Sequence, residues 1–103
     1  MINLLEETLE SLEQYEKTEA DVLWVGVTNY FISWGDFKKQ ADFIYSNGFG
    51  GAEIDLSLVV VGKDWWLERK EYDGSEWWEL KTTPTTDNRL EVSTLILKKE
   101  NLI

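Results

Sequence analysis

The sequence predicts an α+β fold: two helices packed on a small antiparallel β-sheet of about four to six strands, a single layer of meander hairpins. Three observations predict it. An acidic stretch with helical spacing opens the chain, and a second helical period lies near its middle. Residues 58–81 then hold four of the six tryptophans in two β-rich runs joined by Asp73-Gly74. The chain has 103 residues and is 43% hydrophobic. That suits one domain, 1–103, around one core.

Residues 3–16 read as the first helix. Asn3 caps it, and Glu6 and Glu7 lie in the first turn, where the helix dipole favours negative charge. Ile2, Leu5, Leu9 and Leu12, joined by Tyr15, form its apolar stripe, and Glu6, Glu10 and Glu13 line another side. Residues 18–21 read as a short capped turn. Residues 22–32 read as a small hairpin that turns at Thr28-Asn29. A second helix, 33–46, starts at Ser33 with Asp36 three positions on, close to a capping box. Trp34, Phe37, Ala41, Ile44 and Tyr45 share one side of it, and Asn47-Gly48 stops it. Phe49-Gly50-Gly51 is a connector, because no Gly-Lys-Ser/Thr signature accompanies its glycines. Residues 52–56 fit a short helix or an early strand equally well. A three-stranded meander occupies 57–82, and Pro84 breaks its last strand. Residues 90–97 read as a C-terminal strand, with a helix from Ser93 as the alternative.

Asp-Gly between β-rich runs signals a type I′ hairpin. Tyr72 then faces Ser75, Leu67 faces Leu80, Arg69 faces Trp78 and Lys70 faces Trp77. Trp65, Leu67, Arg69, Trp78 and Leu80 share the core face, with Glu71 and Glu76 at its turn end. Trp66, Glu68, Lys70, Tyr72, Trp77, Glu79 and Lys81 share the other, a charged surface with aromatic rings between the charges. This register sets Glu68 against Glu79 and Glu71 against Glu76, an unfavourable placement of like charges. A bulged loop relieves that but opposes Leu67 to Glu79, so the first register is preferred. The tryptophans brace the core in the simplest reading. Trp66 and Trp77 are also candidate binding anchors.

Twenty acidic residues against ten basic ones give a net charge of −10. Phosphate is repelled by such a surface, so direct nucleic-acid binding is not expected and a basic protein partner is. Negative charge that merely maintains solubility is the plainer alternative. Residues 1–21 hold seven acids and one lysine, a net −6. The chain has neither histidine nor cysteine. The Ser-His-Asp and Cys-His arrangements, thiolate zinc sites and disulfides are therefore excluded. No catalytic residue, metal site or cofactor is expected. The only carboxylate pair considered, Glu53 and Asp55, fits a solvated strand edge better than a metal enzyme. Nothing resembles a signal peptide or a membrane span, which fits an intracellular protein.

The motifs LLEETLE, KTEADVLWVGV, ISWGDFKKQADFIYSNGFGGAEI and VVVGKDWWLERKEYDGSEWWELKTTP carry a family resemblance. Across residues 2–84 the chain resembles small acidic proteins of phages and prophages of Firmicutes. These are of the kind that supplies anti-CRISPR inhibitors of the type II RNA-guided nuclease. GKDWWLERKEYDGSEWW is the most specific part, and residues 85–103 match nothing. The resemblance implies a non-enzymatic inhibitor acting in the cytoplasm of the bacterial host. Its partner is the CRISPR-associated nuclease, whose basic channels hold guide RNA and target DNA. Glu6, Glu10 and Glu13, or the hairpin face with Glu68 and Glu79, would meet a basic groove as a nucleic-acid mimic. Trp66, Tyr72 and Trp77 would anchor the contact. The alternative is a phage accessory or structural protein that dimerises through an edge such as 90–97 and has no nuclease target.

Overall fold

The computed structural model describes residues 1–46, 48 and 50–99. Asn3 closes a two-residue strand, β1 (Ile2–Asn3), and caps helix α1 (Leu4–Gln14), accepting from the Glu6 amide at 3.0 Å. The two amides before Glu6 reach carbonyls from elsewhere in the chain: Leu4 N–H donates to Phe43 O and Leu5 N–H to Ala41 O, each at 3.0 Å. Three of the four orphan donors that a helix start leaves are thus satisfied. A 3₁₀ turn, Glu19–Asp21, follows, with Thr18 N–H donating to the Asp21 carboxylate at 2.8 Å. Then come β2 (Trp24–Val27), β3 (Tyr30–Ile32), α2 (Trp34–Gln40), β4 (Ile44–Tyr45), β5 (Val59–Val61), β6 (Trp65–Tyr72) and β7 (Ser75–Thr82). The fold is α+β. Its main sheet is antiparallel in the order β3-β2-β5-β6-β7, and β1 pairs with β4 in a second, two-stranded sheet.

Asp73 and Gly74 both take positive φ, 51° and 85°, as a type I′ turn requires. The turn fixes the predicted register, including Tyr72↔Ser75, Leu67↔Leu80 and Arg69↔Trp78. The opposed glutamates are tolerated because each finds its own partner. Glu68 pairs with Lys70 at 3.1 Å and Glu79 with Lys81 at 3.0 Å. Glu71 accepts from the Gly74 amide at 3.0 Å, and Glu76 turns inward to Arg69 at 2.9 Å.

Three expectations need correction. The second helix stops at Gln40 rather than 46, with Ala41 as its C-cap. Phe43-Ile44-Tyr45 is rich in β-formers, and β1 supplies the strand that Ile44 and Tyr45 pair with. Of the predicted stop, Asn47 lies outside the described residues, as do Phe49 of the glycine connector and residues 100–103. The buried stripe of α1 is also wider than predicted: Leu12 is buried and Ile2, Leu5 and Tyr15 pack on the core, but Leu4, Glu7 and Thr8 are buried as well and Leu9 is half-buried. Finally, residues 90–97 form neither strand nor helix. Past Pro84 the chain turns, Arg89 N–H donating to Thr86 O at 2.9 Å, and leaves the sheet without a strand to pair with.

The core lies on one face of the main sheet. Val25, Val60, Leu67, Trp65 and Trp78 point into it, since cross-strand partners share a face. Leu4 and Leu12 of α1, Phe37 and Ala41 at α2, and Tyr45 close it from above.

Candidate partner-binding surfaces

The core face of the hairpin carries a buried charge network. The Arg69 side chain is fully buried, and Nη1 donates to Glu7 Oε1 at 3.0 Å. Nη2 donates to Glu76 Oε1 at 2.9 Å and to the Tyr45 hydroxyl at 3.0 Å. That hydroxyl in turn donates to Glu7 Oε1 at 2.7 Å. Two carboxylates thus surround one guanidinium. The second of these carboxylates, Glu76, also accepts from the main-chain amides of Glu53 (2.7 Å) and Ile54 (3.2 Å), which pins the connector between β4 and β5. Arg69 Nε has no hydrogen-bond partner, but the guanidinium carbon lies 4.8 Å from the Trp78 ring centroid, a favourable cation–π placement. Trp78 Nε1 donates to Thr8 Oγ1 at 2.9 Å. Burial, and then the hydrogen bond to Glu7, push the Tyr45 phenol above its ordinary value. Burial pulls Arg69 down, but Glu7, Glu76 and Tyr45 outweigh it and hold the guanidinium above its usual value. Apart from Arg69 Nε, the polar groups of this network are committed to the fold.

The opposite face is open. By strand alternation it carries Trp66, Glu68, Lys70 and Tyr72 on β6 and Trp77, Glu79 and Lys81 on β7, as the register predicted. Tyr72 is 77% exposed and Trp77 40%, whereas Trp66 is half-buried and donates from Nε1 to Glu68 Oε1 at 3.0 Å. Burial raises the Glu68 carboxyl, but its bonds to Lys70 and Trp66 prevail and hold it below its usual value. With Lys70 and Lys81 paired to Glu68 and Glu79, these charges sum to zero. This face is aromatic and neutral rather than acidic. It continues onto β2 and β3, where Trp24 and Phe31 meet edge to face, 6.1 Å between centroids. Gly26 permits that contact, because a Cβ there would stand 2.9 Å from the Trp24 ring and 2.6 Å from Tyr30 O. The sequence reading missed this pair. An adjacent glycine in an aromatic strand was its only signal.

Glu6, Glu10 and Glu13 lie on the side of α1 away from the sheet and are all exposed. None of the three forms an ion pair among the described residues. The acids near them behave differently: Glu7 is buried on Arg69, and Glu19 holds Lys38 at 3.1 Å and accepts from Trp34 Nε1 at 3.0 Å. The structure therefore groups the predicted partner-binding residues on opposite sides of the sheet. Glu6, Glu10 and Glu13 are on one, and Trp66, Glu68, Tyr72, Trp77 and Glu79 on the other.

A cavity of about 380 Å³ opens beside β3, lined mainly by Val25, Ile32, Phe37, Ala41, Ile54 and Leu58, with Glu53 and Asp55 at its polar side. Among the described residues no three acidic side chains cluster as metal ligands, and no helix is long and apolar enough to cross a membrane. A scan against protein-family models, and searches of curated proteins and of solved structures, found no match.

Proposed function

We propose that this chain is a non-enzymatic inhibitor that binds a type II RNA-guided nuclease through the outer face of α1, blocking engagement of guide RNA or target DNA. The observation that carries the reading is the row Glu6, Glu10, Glu13: exposed and without an ion pair among the described residues, in a segment of net −6. Unpaired carboxylates are the ones whose charge a basic partner can use. Ion pairing within the hairpin face has already spent Glu68 and Glu79. From Glu6 to Glu13 is about 10 Å of helix. Their mean spacing is about 5 Å along the helix axis, a regular row of negative charge sparser than the one per ~3.4 Å of a nucleic-acid strand. A basic channel built for such a strand therefore complements this helix. The motif resemblance supplies the identity of the partner, and with it the cytoplasm of a bacterial host as the place of action.

A DNA-cleavage assay tests the proposal, with guide RNA added to the nuclease either before or after this protein, alongside a pull-down in both states. The expected result is binding and reduced cleavage, stronger in the order that leaves the blocked channel empty. The absence of both binding and any change in cleavage would overturn it.

A further inference from the structure

Residues 83–99 form an arm whose root is tied to the domain, Thr83 N–H donating to Asp64 O at 2.9 Å, and whose apolar part, 90–97, belongs to no strand or helix. Every one of them is exposed, including Leu90 (92%), Leu95 (68%), Ile96 (82%) and Leu97 (87%). The radius of gyration is 17.4 Å, with a longest extent of 51 Å. A compact domain of this length has about 13 Å. A projecting segment of this kind, rich in β-formers and with large apolar side chains on both sides of its extended form, exposes apolar surface that a stable monomer buries.

The same chain offers an acceptor. β3 is the other edge of the main sheet, and its outer side has no strand partner among the described residues. It is apolar on both faces: Phe31 stands on the open face, 74% exposed, and the 380 Å³ cavity lies on the core face. Glu53 and Asp55 line that cavity. Lys98 and Lys99 follow the apolar part of the arm, so the charges complement one another.

We propose that the arm of one copy lies along β3 of a second, adding main-chain pairing at that edge and seating its leucine and isoleucine side chains in the cavity. Exchange between copies is favoured over fold-back by the topology. The arm leaves β7, four strand spacings from β3, about 19 Å across the sheet. Its first residues are spent on the turn at Thr86–Arg89. Strand addition and exchange of an identical segment are ordinary routes to such dimers. The exchange goes beyond the inhibitor reading and leaves the acids of α1 free.

Light scattering on the full chain over a concentration series tests it. The expected mass is twice the 12.0 kDa of the chain, and it falls twofold in a Leu95→Asp/Ile96→Asp variant that still unfolds cooperatively, both side chains being exposed in the single chain. Because the chain has no cysteine, Ile96→Cys and Gln40→Cys proteins can be mixed and oxidised. A disulfide between the two different chains is expected, Gln40 being part of the cavity wall. A monomer at every concentration overturns the proposal. So does a dimer that survives the double aspartate variant, or a bond that forms only when both cysteines sit in one chain.

Discussion

The two faces of the β6–β7 hairpin are built from the same residue types and do opposite things. On the core face, Arg69 meets Glu7, Glu76 and Tyr45 with its side chain fully buried. On the open face, Lys70 meets Glu68 and Lys81 meets Glu79 in water, with Tyr72 and Trp77 standing beside them. Burial makes the difference. A desolvated charge that loses its partner cannot fall back on solvent, whereas an exposed one can. The core face therefore specifies how α1, β4 and the 53–54 connector dock, and the open face is free to vary or to bind.

Arg69→Met should break this contrast most severely. It leaves Glu7 and Glu76 buried without their cation, and about 3–5 kcal/mol of unfolding free energy should be lost by urea titration. Thr8→Val keeps the shape but strips the acceptor from the buried Trp78 indole, and about 1–3 kcal/mol should follow. Tyr45→Phe should cost about 1 kcal/mol, since Arg69 and Glu7 keep each other. Tyr45 also predicts a pH signature. The folded chain holds its phenolic proton more tightly than the unfolded one, so its contribution is intact below about pH 10 and declines as pH rises beyond that. Urea midpoints at pH 9 and pH 11 should fall more in the wild type than in Tyr45→Phe.

Lys70→Gln, on the open face, should change stability by less than about 1 kcal/mol. What it removes has its own direction. Glu68 is held below its ordinary value, so its pairing stabilises above the usual carboxylate range and is lost as pH falls through the lower folded value. A loss at neutral pH as large as that of Arg69→Met would erase the distinction between the faces.

The hairpin was legible because its turn chemistry and its alternation agree. Asp73-Gly74 set the register, and the register placed Arg69 and Glu76 on the core side. A core-side arginine demands acceptors, but their identity was not in local pattern. Glu7 sits in a helix turn where acids are expected for another reason, and Tyr45 belongs to a segment read as helix. Both were settled by tertiary pairing, of α1 with the hairpin and of β1 with β4. Glu6, Glu10 and Glu13 were legible as one side of a helix. That they stay unpaired among the described residues while Glu68 and Glu79 do not depends on side-chain contacts that spacing does not encode.

The most direct measurement is the affinity of the Glu6→Gln/Glu10→Gln/Glu13→Gln variant for the type II nuclease, with its melting temperature read on the same sample. The three side chains are exposed and outside the ion pairs. The prediction is binding weakened at least tenfold, about 1.4 kcal/mol, with a shallower salt dependence and no fall in melting temperature. Undiminished binding would contradict the assignment of α1 as the contact face.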